Sequence, residues 1–103
     1  WNAMSIEYFG SPSPALTVDS IQRLLDSIAG FNDLVLVRRN ESELGIGFPE
    51  NENSEQETAT IVLKAEQVYV GFHACHKNQR ERVIQFIEST LKESGCVCQL
   101  EED

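Results

Sequence analysis

Residues 68–91, VYVGFHACHKNQRERVIQFIESTL, change their apolar period part-way along, and that change decides the fold. Val68, Val70, Phe72 and Ala74 alternate with Tyr69, Gly71, His73 and Cys75, the two-residue period of a strand with one buried face. Further on the spacing lengthens, and Val83, Ile84, Ile87 and Leu91 form one stripe along a helix. Asn78 with Glu81 three residues later reads as a capping box, and Gly95 lies where that helix should stop. Ile87 is central to the stripe, whereas Glu88 is off it and is expected to matter little. A strand feeding a one-sided helix needs a sheet on which the stripe can be buried.

Upstream, Ser5 to Phe9 alternate, with Met4, Ile6 and Tyr8 on one side, until Gly10-Ser11-Pro12-Ser13-Pro14 breaks the run. Thr17 is a natural N-cap, and behind it Val18, Ile21, Leu24, Leu25 and Ile28 predict a helix over Val18–Ala29. Asp19 suits the positive end of the helix dipole, Gly30 is expected to stop the helix in a left-handed conformation, and Phe31 to fold back onto its last turn. Leu34 to Val37 reads as a central strand, after which Arg38-Arg39-Asn40 turns the chain. Leu44, Ile46 and Phe48 alternate with Gly45 and Gly47, giving a strand with one bulky face and one bare face that Pro49 ends. Glu50 to Glu57, ENENSEQE, holds four glutamates and no apolar residue, and reads as a mobile hairpin loop outside the core. Thr58–Leu63 is a further strand, and Cys96, Cys98 and Leu100 alternate in a last short one.

The predicted order is therefore β-α-β-β-β-β-α-β. It implies an α+β, two-layer sandwich, a mostly antiparallel sheet with two helices packed on one face. Right-handed crossovers around each helix would make this a ferredoxin-like core enlarged by a hairpin. Trp1-Asn2-Ala3 ahead of Met4 reads as an expression-tag remnant, leaving 4–103 as a single α+β domain.

Composition narrows the function. Seventeen acids against eight bases give a net charge of -9, which disfavours nucleic acid and anionic membrane as partners. Apolar runs such as Leu34–Val37 fall far short of the roughly 20 residues of a membrane span. The segment from Met4 to Pro12 lacks the features of a signal peptide, and three cysteines cannot all pair within one chain. These features point to the cytoplasm.

His73, Cys75 and His76 form one candidate ligand group, and Cys96 with Cys98 a second. A Cys-x-Cys in a strand aims both thiols the same way, which suits two small core residues better than a zinc or redox site. His73 beside Cys75 has no orienting carboxylate that the sequence can assign. Gly45-Ile46-Gly47 leads into Phe-Pro and a polar loop, so it cannot aim helical N–H groups at a phosphate; its glycines are expected to relieve crowding on an open sheet face. The glutamate loop lacks the glycine and ligand spacing of an EF-hand. No cofactor or metal is called for. Glu50, Glu52, Glu55 and Glu57 instead make an acidic docking surface for a basic partner, and Tyr69 and His73 are candidate contacts on the open face.

A glutamate-rich hairpin loop, the segment Val68-Tyr69-Val70-Gly71-Phe72-His73 running into an amphipathic helix, and a closing strand ending Leu-Glu-Glu-Asp together give an outline. It resembles the small immunity proteins of bacterial polymorphic toxin systems, including contact-dependent growth inhibition. The resemblance is one of architecture and composition, and it assigns no binding residue. It implies a protein that is not an enzyme, binding the C-terminal toxin domain of a cognate effector, often a nuclease with a basic cleft, and blocking it. The charge argues the same way, since an acidic inhibitor is steered towards a basic cleft. Two alternatives stay open: a small metal- or thiol-handling protein using His73, Cys75, His76, Cys96 and Cys98, and a structural or regulatory oligomeric domain.

Overall fold

Each switch of apolar period in the sequence falls at a boundary between elements, which follow in the predicted order: β1 (Ser5–Gly10), α1 (Val18–Ala29), β2 (Val35–Arg39), β3 (Glu43–Gly47), β4 (Ala59–Leu63), β5 (Val68–His73), α2 (Lys77–Glu93) and β6 (Glu101–Glu102). The computed structural model describes residues 5–73 and 75–103. The tag reading of Trp1-Asn2-Ala3, Met4 on β1 and Ala74 on the β5 face lie outside the described residues.

The strands form one sheet in the order β2-β3-β4-β5-β1-β6, and every neighbouring pair is antiparallel. β1 sits between β5 and β6, so α2 carries the chain past it, and α1 carries the chain from β1 to the far edge. β6-β1-β5-β4 is the order of a split β-α-β core, and β2 with β3 is the added hairpin. One expectation fails here. Val35–Arg39 is an edge strand, not a central one, because the β2-to-β5 meander lays consecutive strands side by side and leaves the first of them outside. Leu36 and Val37 are accordingly exposed, and the register slips between Leu36 and Arg38. The turn also comes later than predicted. Asn40 Oδ1 accepts the N–H groups of Ser42 and Glu43 at 3.1 Å each, closing the β2–β3 hairpin.

The inner face of the sheet carries Leu44, Ile46, Phe48, Ala59, Ile61, Leu63, Val68, Val70 and Phe72, all buried. Leu24, Leu25 and Ile28 of α1 and Val83, Ile84, Ile87 and Leu91 of α2 complete one core with them. This is the two-layer sandwich that the periods imply. Cys96, Cys98 and Leu100 join the core as their alternation predicts, although the strand itself is only Glu101–Glu102 and Val97 makes an isolated bridge to Ser13.

The helix ends separate two glycines that look alike in sequence. Thr17 caps α1 as expected, its Oγ1 accepting the Ser20 N–H at 3.1 Å and its own N–H reaching Ser20 Oγ at 2.8 Å. Gly30, however, has φ -85°, so it is not the left-handed stop. Gly95 is, with φ 91°; its N–H reaches Lys92 O and the Cys96 N–H reaches Leu91 O, the paired bonds of a Schellman turn. The Phe31 ring stacks on Phe86 of α2 at 3.8 Å, joining the two helices. α2 starts before Asn78: His76 is its N-cap, and the buried Gln79, not Glu81, reaches back to the His76 N–H at 3.1 Å. Among the described residues no helix is long and apolar enough to cross a membrane.

Candidate functional site

The helices cover one face of the sheet and leave the other to its outward-pointing rows, whose positions follow from the strand registers. One row runs Glu43, Val62, Tyr69, Phe9, Glu101, an apolar strip across the three middle strands with a glutamate at either end. The next runs Arg38, Gly45, Thr60, Gly71, Glu7. Tyr69 and His73 are both on this face, as predicted, with His73 opposite Ser5 and its Nδ1 3.1 Å from Ser5 Oγ.

Gly45 and Gly47 do not face open space. A side chain at Gly47 would meet the carbonyl oxygens of Ser54 and Gln56, and one at Gly45 the carboxylate of Glu57. The glutamate loop therefore folds back over that corner of the sheet, and the glycines make room for it. Turn bonds from the Asn51 N–H to Phe48 O and from the Gln56 N–H to Asn53 O shape the loop.

This docking separates the four predicted glutamates into three roles. Glu52 and Glu55 are exposed at the tip, where a steering charge belongs. Glu50 tethers the loop to α2, its Oε2 accepting Arg82 at 2.6 Å and Gln79 Nε2 at 3.0 Å. Those bonds, Gln79 first and then Arg82, hold its carboxyl down at about 2. Glu57 lies on the sheet and binds Arg38 through both oxygens, Nε to Oε1 at 3.0 Å and Nη2 to Oε2 at 3.1 Å, while Thr60 donates to Oε2 at 2.7 Å. Arg38 also reaches Glu43 Oε2 at 2.9 Å. The guanidinium holds both carboxyls below the usual range, and they in turn push its own proton affinity up. The expectation of a loop with no structural part is thus corrected for Glu50 and Glu57, because Arg82, Gln79 and Arg38 come within reach of them only in the folded chain.

Beyond the loop the face is aromatic. The Tyr69 ring lies over Gly71, whose missing side chain would collide with it, and its hydroxyl donates to Glu7 Oε2 at 2.7 Å. Phe9 sits beside it with ring centroids 5.2 Å apart. Burial first, and the Glu7 bond next, push the Tyr69 phenol up to about 12, so it stays a neutral donor. Sequence reading singled out Tyr69 but missed Glu7, Phe9, Glu43 and Arg38. The alternation of β1 did mark Glu7 and Phe9 as outer residues, but nothing local says that β1 pairs with β5.

β5 ends at His73, so Cys75 turns off the outer face and packs against the core, its Sγ donating to Thr58 O at 3.3 Å. Cys96 Sγ donates instead to Pro14 O at 3.5 Å. Burial raises the Cys75 thiol and lifts Cys98 to about 11, which favours the protonated form of both near neutrality. Among the described residues no group of three or more His, Cys, Asp or Glu is placed to hold a metal ion. No family model matches the chain, and it has no match among curated proteins or solved structures.

Proposed function

We propose that the chain is an immunity protein that binds and neutralises a basic toxin domain, a nuclease in the first instance, in the cytoplasm, by protein–protein contact and without catalysis. The observation that carries this reading is the outer sheet face, where a Tyr69–Phe9 strip is rimmed by Glu7, Glu43 and Glu101 in a chain of net charge -9. A large ring at the centre with carboxylates at the margin is the arrangement of an interface anchor surrounded by steering charge. Glu52 and Glu55, exposed on the loop, extend the same field.

The test is binding kinetics against any toxin domain found encoded beside this chain. Glu52→Gln with Glu55→Gln should slow association and flatten its dependence on salt. Tyr69→Ala should speed dissociation, costing about 2 kcal/mol or more as a hot spot does. If no neighbouring toxin domain binds the unmutated chain, the reading falls. A homo-oligomeric domain is the second reading, carried by Leu36 and Val37 exposed on the free edge of β2. A concentration-dependent mass in solution that Leu36→Lys abolishes would favour it.

A further inference from the structure

Glu7, Tyr69 and Gly71 come together on the outer face from two strands far apart in the sequence. The bare Gly71 lets the Tyr69 ring lie down on the sheet, and the Glu7 bond fixes it there. Phe9 stands tilted beside it, with 55° between the ring planes. Glu7 Oε1 has no hydrogen-bond partner among the described residues, since Tyr69 uses Oε2. On the turn side of the ring, Lys64 lines a shallow groove with Glu43, Val62 and Gln67, and Glu43 is already paired with Arg38, so the stronger pull on a cation is at the Glu7 end.

We propose that this platform receives an arginine side chain presented by a basic protein partner. The guanidinium stacks over the Tyr69 and Phe9 rings while its edge donates to Glu7. Arginine fits better than lysine because a planar, weakly hydrated fork can stack and donate at once, whereas an ammonium is a strongly hydrated point charge. The chain uses both halves of this chemistry internally: Arg38 binds Glu57 through two donors, and the Arg82 guanidinium carbon lies 5.8 Å from the centre of the Phe48 ring. The choice of a protein as occupant rests on the immunity reading; the choice of an arginine does not.

The test uses the full chain, labelled with nitrogen-15, titrated with blocked oligoarginine, oligolysine and oligocitrulline peptides. Oligoarginine should shift the amides of Glu7, Tyr69 and Gly71 and bind about threefold to fivefold tighter than oligolysine, with oligocitrulline inert. Glu7→Gln and Tyr69→Ala should each weaken it about tenfold. Tyr69→Phe, which keeps the ring and loses only the Glu7 bond, should weaken it less, and the amide spectrum of each variant reports whether it has folded. Shifts confined to residues 50–57, or equal binding of arginine and lysine that is indifferent to Glu7→Gln, would overturn the proposal. A toxin domain that binds the wild type and both the Glu7→Gln and Tyr69→Ala variants equally would also sink it while leaving the immunity reading intact. If instead no toxin domain binds but oligoarginine still maps to Tyr69, the immunity reading alone falls.

Discussion

The Tyr69 hydroxyl donates to Glu7 Oε2 across 62 residues of sequence, at 2.7 Å, and so locks the ring of β5 to the neighbouring β1. Burial and the carboxylate both favour the neutral phenol in the fold, raising its ionisation from the ordinary 10.0 to about 12. The stability this contributes is fully present below the ordinary value and is lost as pH rises through the folded one. In a Tyr8→Phe background, tyrosinate absorption should therefore grow only near the upper value. Adding Glu7→Gln should bring the midpoint down while leaving it above the ordinary value, because the burial remains. An unchanged midpoint would mean that Glu7 does not hold the ring.

Gly45 and Gly47 should respond unequally to a methyl group. At Gly47 the methyl meets the backbone carbonyls of Ser54 and Gln56, so the loop itself must shift, whereas at Gly45 it meets only the end of the Glu57 side chain. Gly47→Ala should cost about 1–3 kcal/mol, the range of overpacking. Gly45→Ala should cost less than about 1 kcal/mol, mostly the exposed Arg38–Glu57 pair. Denaturant midpoints decide between them, and equal losses would mean that the loop does not rest on β3.

What was legible in the sequence was what local chemistry decides. α1 runs over the predicted residues because the Thr17 cap and the Val18-to-Ile28 stripe are properties of one segment. The inner and outer faces of β3 and β5 follow from alternation alone. Contacts between distant segments were not legible. Leu34 to Val37 looks like a central strand because it is apolar, yet its edge position depends on where the meander begins. Gly45 and Gly47 look bare because nothing in their own strand says that residues 54–57 return to cover them. Glu7 and Glu50 each read as one more acid until Tyr69 and Arg82 are brought beside them.

Glu88 is another such residue. Its Oε2 accepts the Leu100 N–H at 2.7 Å, so it is not the expendable solvent-side residue that the helical stripe suggests. Ile87→Ala should cost about 2–5 kcal/mol by opening a cavity in the core. Glu88→Ala should cost about 1–3 kcal/mol by leaving a part-buried N–H unpaired. Glu88→Gln, which keeps an acceptor, should lose much less. The exposed Glu81, held only by a 4.0 Å approach to Lys77, is the neutral control. A Glu88→Ala variant as stable as Glu81→Ala would show that the last segment does not depend on this bond.

The tether at Glu50 makes loop docking sensitive to acid, and the sign is fixed by the direction of its shift. Its carboxyl ionises at about 2 in the fold against an ordinary 4.5, so the charged form is the one the folded state prefers. A depressed value contributes stability above the ordinary value, and that contribution is lost as pH falls through the folded one. The side chain is 46% exposed, so solvent screens the pair with Arg82 and the whole effect should stay under about 1 kcal/mol. Wild type should accordingly be more stable than Glu50→Gln near neutrality, with the difference shrinking towards zero across that acid window and in high salt. Gln79→Ala should behave otherwise. Its amide joins the His76 N–H, Glu50 and Asn51, so its loss leaves the start of α2 without its cap. That loss should cost about 1–3 kcal/mol, most of it the missing cap and so present at every pH. Only the smaller part that comes from the Gln79 bond to the Glu50 carboxylate should fade across the same acid window. Unfolding by denaturant across a pH series measures both variants, and a Glu50→Gln difference that stays constant as the solution is acidified would mean that the carboxylate is not what holds the loop to the helix.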